Sequence, residues 1–166
     1  MSTIAPTSTT EDSNDSEDSS DSEDSSDSED SSDSKDSKDG ITDNGTKGDD
    51  HLTGSDGNDT LSGGKGDDTF EASDGNDVMN GGQGDDVFTF GDFSGNSTVD
   101  GGGSGNWTDT IEIDLGGGPS SGGWTVEIDG DHGTDKDGNI VGDNMSGHIT
   151  TEHGTIDFSN IDKIEW

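Results

Sequence analysis

GTKGDDHLT (45–53), GSDGNDTLS (54–62), GGKGDDTFE (63–71), ASDGNDVMN (72–80) and GGQGDDVFT (81–89) are one nine-residue unit repeated five times without a gap. Position 4 is always glycine: Gly48, Gly57, Gly66, Gly75 and Gly84. Position 6 is always aspartate: Asp50, Asp59, Asp68, Asp77 and Asp86. Position 8 always holds one large apolar residue: Leu52, Leu61, Phe70, Met79 and Phe88. A Gly-rich stretch with Asp or Asn at position 5 suits turns of positive φ, which Gly and Asn tolerate. The last three residues of each unit leave room for a short strand, its central side chain inward and its neighbours outward. Turn, strand, turn, strand closes one coil in two units.

The sequence marks that doubled period. Units one, three and five carry Lys47, Lys65 and Gln83 at position 3, followed by Asp49, Asp67 and Asp85 at position 5. Units two and four carry Asp56 and Asp74, followed by Asn58 and Asn76. Alternate units therefore share one side of the coil, and two kinds of turn line two opposite edges. With rungs ~4.8 Å apart, Asp50 lies below Asp68 and Asp68 below Asp86, while Asp59 lies below Asp77. Bare carboxylates so spaced repel, so the stack needs a cation. Carboxylates and turn carbonyls are hard oxygen donors, which suit Ca²⁺ better than softer metals.

The unit resembles the RTX, or haemolysin-type, nonapeptide G-G-x-G-x-D-x-U-x, a calcium-binding solenoid repeat. The resemblance implies an all-β fold, a calcium-stabilised parallel β-roll. In that family each ion sits between successive turns, held by position-6 aspartates and backbone carbonyls. Carried onto this chain, the ligands are Asp50, Asp59, Asp68, Asp77 and Asp86, with the turn residues Gly48, Gly57, Gly66, Gly75, Gly84, Asp49, Asn58, Asp67, Asn76 and Asp85. The five repeats then form about three Ca²⁺ sites.

Composition agrees. Hydrophobic residues make up 19% of the chain and the formal charge is -35, a composition that does not fold unaided. The repeats carry eleven acids against two lysines, so self-repulsion opposes the compact state. Five inward apolar side chains cannot offset the ordering entropy of so long a segment. An ion held at an affinity near 0.1 mM contributes ~2 kcal/mol in millimolar calcium and almost nothing at sub-micromolar calcium. The expectation is a chain unfolded inside the cell and folded outside it.

Residues 1–40 form a separate segment in which S-E-D-S-S-D (16–21) recurs at 22–27 and 28–33. It is acidic, without apolar periodicity, and is expected to be a disordered Ser/Asp-rich tail. Residues 41–91 are assigned to the roll. After Thr89 the unit decays: Ser97 stands where Asp is expected, and Asp109, a candidate ligand for a fourth ion at this degenerate continuation, follows two inserted positions later, which reads as the roll's end. Residues 92–166 hold these degenerate repeats and then alternating segments such as W-T-V-E-I-D (124–129) and I-D-K-I-E-W (161–166). Period-2 alternation between Gly-rich turns predicts strands, packed as a small C-terminal β cap around Trp107, Ile111, Ile113, Trp124, Val126, Ile128, Ile156, Phe158, Ile161, Ile164 and Trp166. A solenoid end needs such a cover.

What is missing narrows the function. There is no cysteine, so no disulfide framework or thiolate zinc site. No apolar run reaches transmembrane length, and Met1–Thr10 has neither the basic nor the apolar region of a cleaved signal peptide. A strongly acidic chain without arginine does not suit nucleic acid. His148 to His153 spells H-I-T-T-E-H, which matches neither zinc-protease spacing. Asp129 to Asn139 lacks the Gly and Glu spacing of an EF-hand loop and reads as a hairpin. No nucleophile elbow or phosphate loop occurs, and relatives with catalysis carry it in an upstream domain, so no enzyme is expected. The resemblance implies export by type I (ABC-transporter) machinery that reads an uncleaved C-terminal segment. The expected product is a secreted, extracellular calcium-binding protein. The alternative is an acidic adhesin, surface-layer or mineral-binding protein, with a cell-surface or mineral partner for the same module.

Overall fold

The computed structural model describes residues 38–103, 105–119 and 123–166. The disorder expected of residues 1–40 falls almost wholly outside that range. The described residues form twelve strands and no helix, and none of their segments is a helix long and apolar enough to cross a membrane.

The nine-residue period produces two parallel layers. β1 (Thr42–Asn44), β3 (Thr60–Lys65), β5 (Val78–Gln83) and β7 (Gly95–Gly102) pair in sequence as one layer. β2 (His51–Thr53), β4 (Thr69–Glu71), β6 (Val87–Phe90) and β8 (Thr110–Ile113) form the other. Registers follow the eighteen-residue coil: Thr42, Thr60 and Val78 are aligned, as are His51, Thr69 and Val87. Coiling does not stop at Thr89. Val78 aligns with Thr98 and Val87 with Thr110, because the extra residues are taken up in the turns while the short strands keep their pairing.

Position 8 builds the core. Leu61, Met79, Val99 and Phe158 stack in one layer, and Leu52, Phe70, Phe88, Ile111 and Ile164 in the other, all buried. The Phe70 and Phe88 rings stack 4.6 Å apart at 15°. In the first rung this slot belongs to Asp43, aligned with Leu61 and half-buried. An inward charge on an end strand discourages pairing with another chain.

The C-terminal segments pack on the end of the roll as strands of the same sheet. β12 (Gly154–Glu165) pairs in parallel with β7 through residues 154–159 and with β8 through residues 163–165. It therefore serves as a whole coil, bridging the layers in the order β1-β3-β5-β7-β12-β8-β6-β4-β2. The bend falls at Asn160, whose φ of 54° is tolerated by Asn and whose Nδ2 donates to Asp100 Oδ1 at 2.7 Å. β11 (Ile140–Thr150) runs antiparallel along β12, and β9 (Thr125–Asp129) and β10 (Gly133–Thr134) pair with its two ends. Of the residues expected in the cap, Ile111, Phe158 and Ile164 instead continue the two columns of the roll. Ile113, Trp124, Ile156 and Ile161 are buried, while Val126 and Ile128 are partly covered. Trp107 is half-buried, and Trp166 is 39% exposed with its ring edge-on to Trp124 at 5.7 Å.

Candidate metal centre

The position-6 aspartates stack on the edges where the period places them. Asp68 Oδ1 accepts the Asp50 N–H at 2.8 Å, and Asp86 Oδ1 accepts the Asp68 N–H at 2.9 Å. On the opposite edge Asp77 Oδ1 accepts the Asp59 N–H at 3.0 Å. Asp59, Asp68, Asp77 and Asp86 are buried and Asp50 is half-buried. Position 5 links rungs in the reverse sense: the Asp67 N–H donates to Asp49 Oδ1, the Asp85 N–H to Asp67 Oδ1, and the Asn76 N–H to Asn58 Oδ1. Each pair of rungs is thus tied twice at every edge, and the position-5 side chains remain exposed except as acceptors.

Position 2 divides the turns into two kinds. In the first two units it is Thr46 and Ser55, whose backbone N–H groups donate to Asp50 Oδ2 at 2.5 Å and Asp59 Oδ2 at 2.6 Å. Their hydroxyls accept the N–H of Gly48 at 3.2 Å and Gly57 at 3.3 Å, an ordinary Ser/Thr turn. These loops are closed by their own groups, and neither Gly48 nor Gly57 has positive φ, whereas Gly66, Gly75 and Gly84 do. In units three and five position 2 is Gly64 and Gly82, with φ of 104° and 112°. Without that inward N–H, Asp68 Oδ2 and Asp86 Oδ2 are buried with no hydrogen-bond partner.

Those orphaned oxygens face further acceptors. A Cβ placed on Gly63 would come within 3.0 Å of both Asp68 Oδ2 and the carbonyl oxygen of Gly81 in the next rung. One on Gly81 would meet Asp86 Oδ2 and the Gly101 carbonyl in the same way. Two oxygens with no proton between them converge on each point, an arrangement that costs about 1–3 kcal/mol per buried group, more when it is charged. A hard cation removes that cost, and the donors fit Ca²⁺. No three His, Cys, Asp or Glu side chains converge as a metal cluster among the described residues, so an ion here depends on backbone carbonyls as well as carboxylates.

The electrostatics record the same strain. Burial raises the carboxyls of Asp68, Asp77 and Asp109 to about 6 and that of Asp86 to about 7, against hydrogen bonds from the preceding rung that lower them. Neighbouring carboxylates push in the same direction as burial: Asp50 on Asp68, Asp59 on Asp77, and Asp109 and Asp68 on Asp86.

Other candidates resolve into local structure. Asp135 Oδ1 accepts the Asp137 and Asn139 N–H groups and Oδ2 accepts Asn139 Nδ2, so the acidic hairpin is closed upon itself. His51, His148 and His153 each face a separate glutamate, Glu71, Glu127 and Glu152. Sequence reasoning overlooked Asp162, which lies in the position-6 slot above Asp109 and accepts its N–H at 3.2 Å. The available signal was I-D-K-I-E, a strand pattern with Asp two residues before an inward Ile.

The model of the RTX calcium-binding nonapeptide repeat (4 copies) matches residues 44–70, 53–88 and 62–95. Residues 44–95 thus carry a calcium-binding repeat of this type, a structural module. No curated protein and no solved structure matches the chain.

Proposed function

We propose that the chain is an exported protein whose roll folds on binding Ca²⁺ outside the cell. The observation that carries this reading is the pair of buried, unpartnered oxygens on Asp68 and Asp86, each set against a carbonyl of the next rung. About three ions are expected, between Asp50 and Asp68, Asp68 and Asp86, and Asp59 and Asp77. Carbonyls of Gly48, Gly57, Gly66, Gly75, Gly84 and of position 5 complete their shells. In this reading residues 41–91 hold the ions, while residues 92–166 close the roll and end in a segment read by type I export machinery. Low calcium keeps the chain unfolded for passage, and millimolar calcium folds it on arrival, by simple mass action.

The test is a far-UV circular dichroism titration of the full chain with Ca²⁺, and with Mg²⁺ as control. A cooperative gain of β signal between about 0.1 mM and several mM calcium is expected, with little response to magnesium. A chain already fully folded in EDTA removes the export-coupled step. One that stays unfolded at high calcium defeats the metal reading.

A further inference from the structure

The roll's ion-binding edge runs past the matched repeat. We infer that a further Ca²⁺ site lies between Asp86 and Asp109, one rung above the Asp68–Asp86 pair. This rests on the calcium reading above and extends it to residues that no repeat match reaches.

The geometry repeats that of the rung below. Asp86 Oδ1 faces down to the Asp68 N–H, while Oδ2 is fully buried and unpartnered. The second oxygen converges with the Gly101 carbonyl on the point a Gly81 Cβ would fill, as Asp68 Oδ2 does with the Gly81 carbonyl. Above it, Asp109 Oδ1 accepts the Asp86 N–H at 3.0 Å across 23 residues, in place of the 18 that separate the partners below. Asp85 Oδ1 accepts the Thr108 N–H at 2.7 Å, so the position-5 link is kept as well. Both rung-to-rung ties and the orphaned oxygen therefore survive although the intervening sequence, G-G-G-S-G-N-W-T-D (101–109), no longer follows the nonapeptide. A buried carboxylate oxygen aimed at a carbonyl needs a proton or a cation at either rung.

The series weakens one rung later, although Asp109 Oδ2 and the Asn160 carbonyl still converge on the point a Gly101 Cβ would fill. Asp162 Oδ2 accepts the Asp109 N–H and Oδ1 accepts the Asn144 N–H at 2.8 Å, so backbone donors satisfy both oxygens. Between Asn160 and Asp162 only buried Ile161 remains of the turn, which leaves no loop to wrap an ion. The opposite edge closes earlier. Ser97 Oγ takes the place of a carboxylate above Asp77, and buried Ile156 occupies the following rung. The ion-binding edge is thus continuous from Asp50 to Asp109, and it reaches the strand on which the C-terminal coil rests.

Asp109→Asn tests the site, because the amide oxygen still accepts the Asp86 N–H. Native mass spectrometry of the full chain in saturating calcium should show one ion fewer than the parent, with an unchanged circular dichroism spectrum. An unchanged ion count overturns the site, whereas a parent chain that binds no calcium overturns the reading on which it rests. A second measurement does not depend on that variant folding. Trp107 lies two residues from Asp109, so Tb³⁺ bound there is excited through its indole. Trp107→Phe should remove a large share of the sensitised Tb³⁺ emission, and full retention in this variant also rejects the site.

Discussion

An aspartate in the middle of the stack serves two rungs, while one at its end serves only one. Asp68 lends Oδ1 to the rung below and turns Oδ2 toward the rung above. Asp50 has its oxygens engaged by Thr46 in its own loop. Asp68→Ala should therefore weaken calcium binding more than Asp50→Ala, by one proposed site's worth of affinity, tenfold for each ~1.4 kcal/mol lost. Calorimetric titration of the two variants measures the difference, and equal losses would count against the register of the stack. Position 2 separates four of the five turns, while Ser73 in unit four donates instead to the Ser55 carbonyl. Gly64 and Gly82 leave the carboxylate open, whereas Thr46 and Ser55 close it. The Gly-Gly pairs are visible in the sequence. Their consequence was not, because it depends on which way a peptide N–H faces, and periodicity carries no information on that.

At the scale of strands, the fold is legible wherever a short-range rule sets it. Position 8 gave the core columns, and the alternation of Lys or Gln with Asp at position 3 gave the two edges. The pairing of β12 was not legible, since Asp162 meets Asp109 across 53 residues and no local pattern selects one distant edge over another. Nor does period-2 alternation reveal that one strand will bend between layers. That bend depends on Asn160, held at φ 54° and tied to Asp100. Asn160→Gly should be tolerated apart from the lost side-chain bond. Asn160→Val forces a β-branched residue into the left-handed region and should cost a further 1–2 kcal/mol or so. Urea unfolding of both variants at saturating calcium provides the comparison. Equal midpoints would mean that β12 crosses between layers without strain at this residue.

For the molecule as a whole, protons and calcium compete for the same oxygens. The carboxyls of Asp68, Asp77 and Asp109 lie near 6 and that of Asp86 near 7 in the fold, against an ordinary value of 3.8. Between those limits the folded chain binds more protons than the unfolded one, so stability falls as pH rises. Without calcium, the contribution of these groups is fully present below about 3.8 and is lost as pH climbs through 6 to 7. Relief of charge repulsion acts in the same direction, because acid also lowers the formal charge from its value of -35 at pH 7. In EDTA any residual folding, and with it the thermal midpoint, should therefore be higher at pH 4 than at pH 7.5, where the chain is mostly unfolded. Calcium reverses the order, since it takes the place of the protons and binds best once Asp86 has released its own. The calcium midpoint of folding should accordingly move to higher concentration as pH drops below about 6. Thermal melts across this range, with EDTA and with saturating calcium, decide the matter. A midpoint that rises with pH in EDTA would show that the stacked carboxyls are ionised in the fold without any cation, and that the edges are held together by the backbone ladder alone.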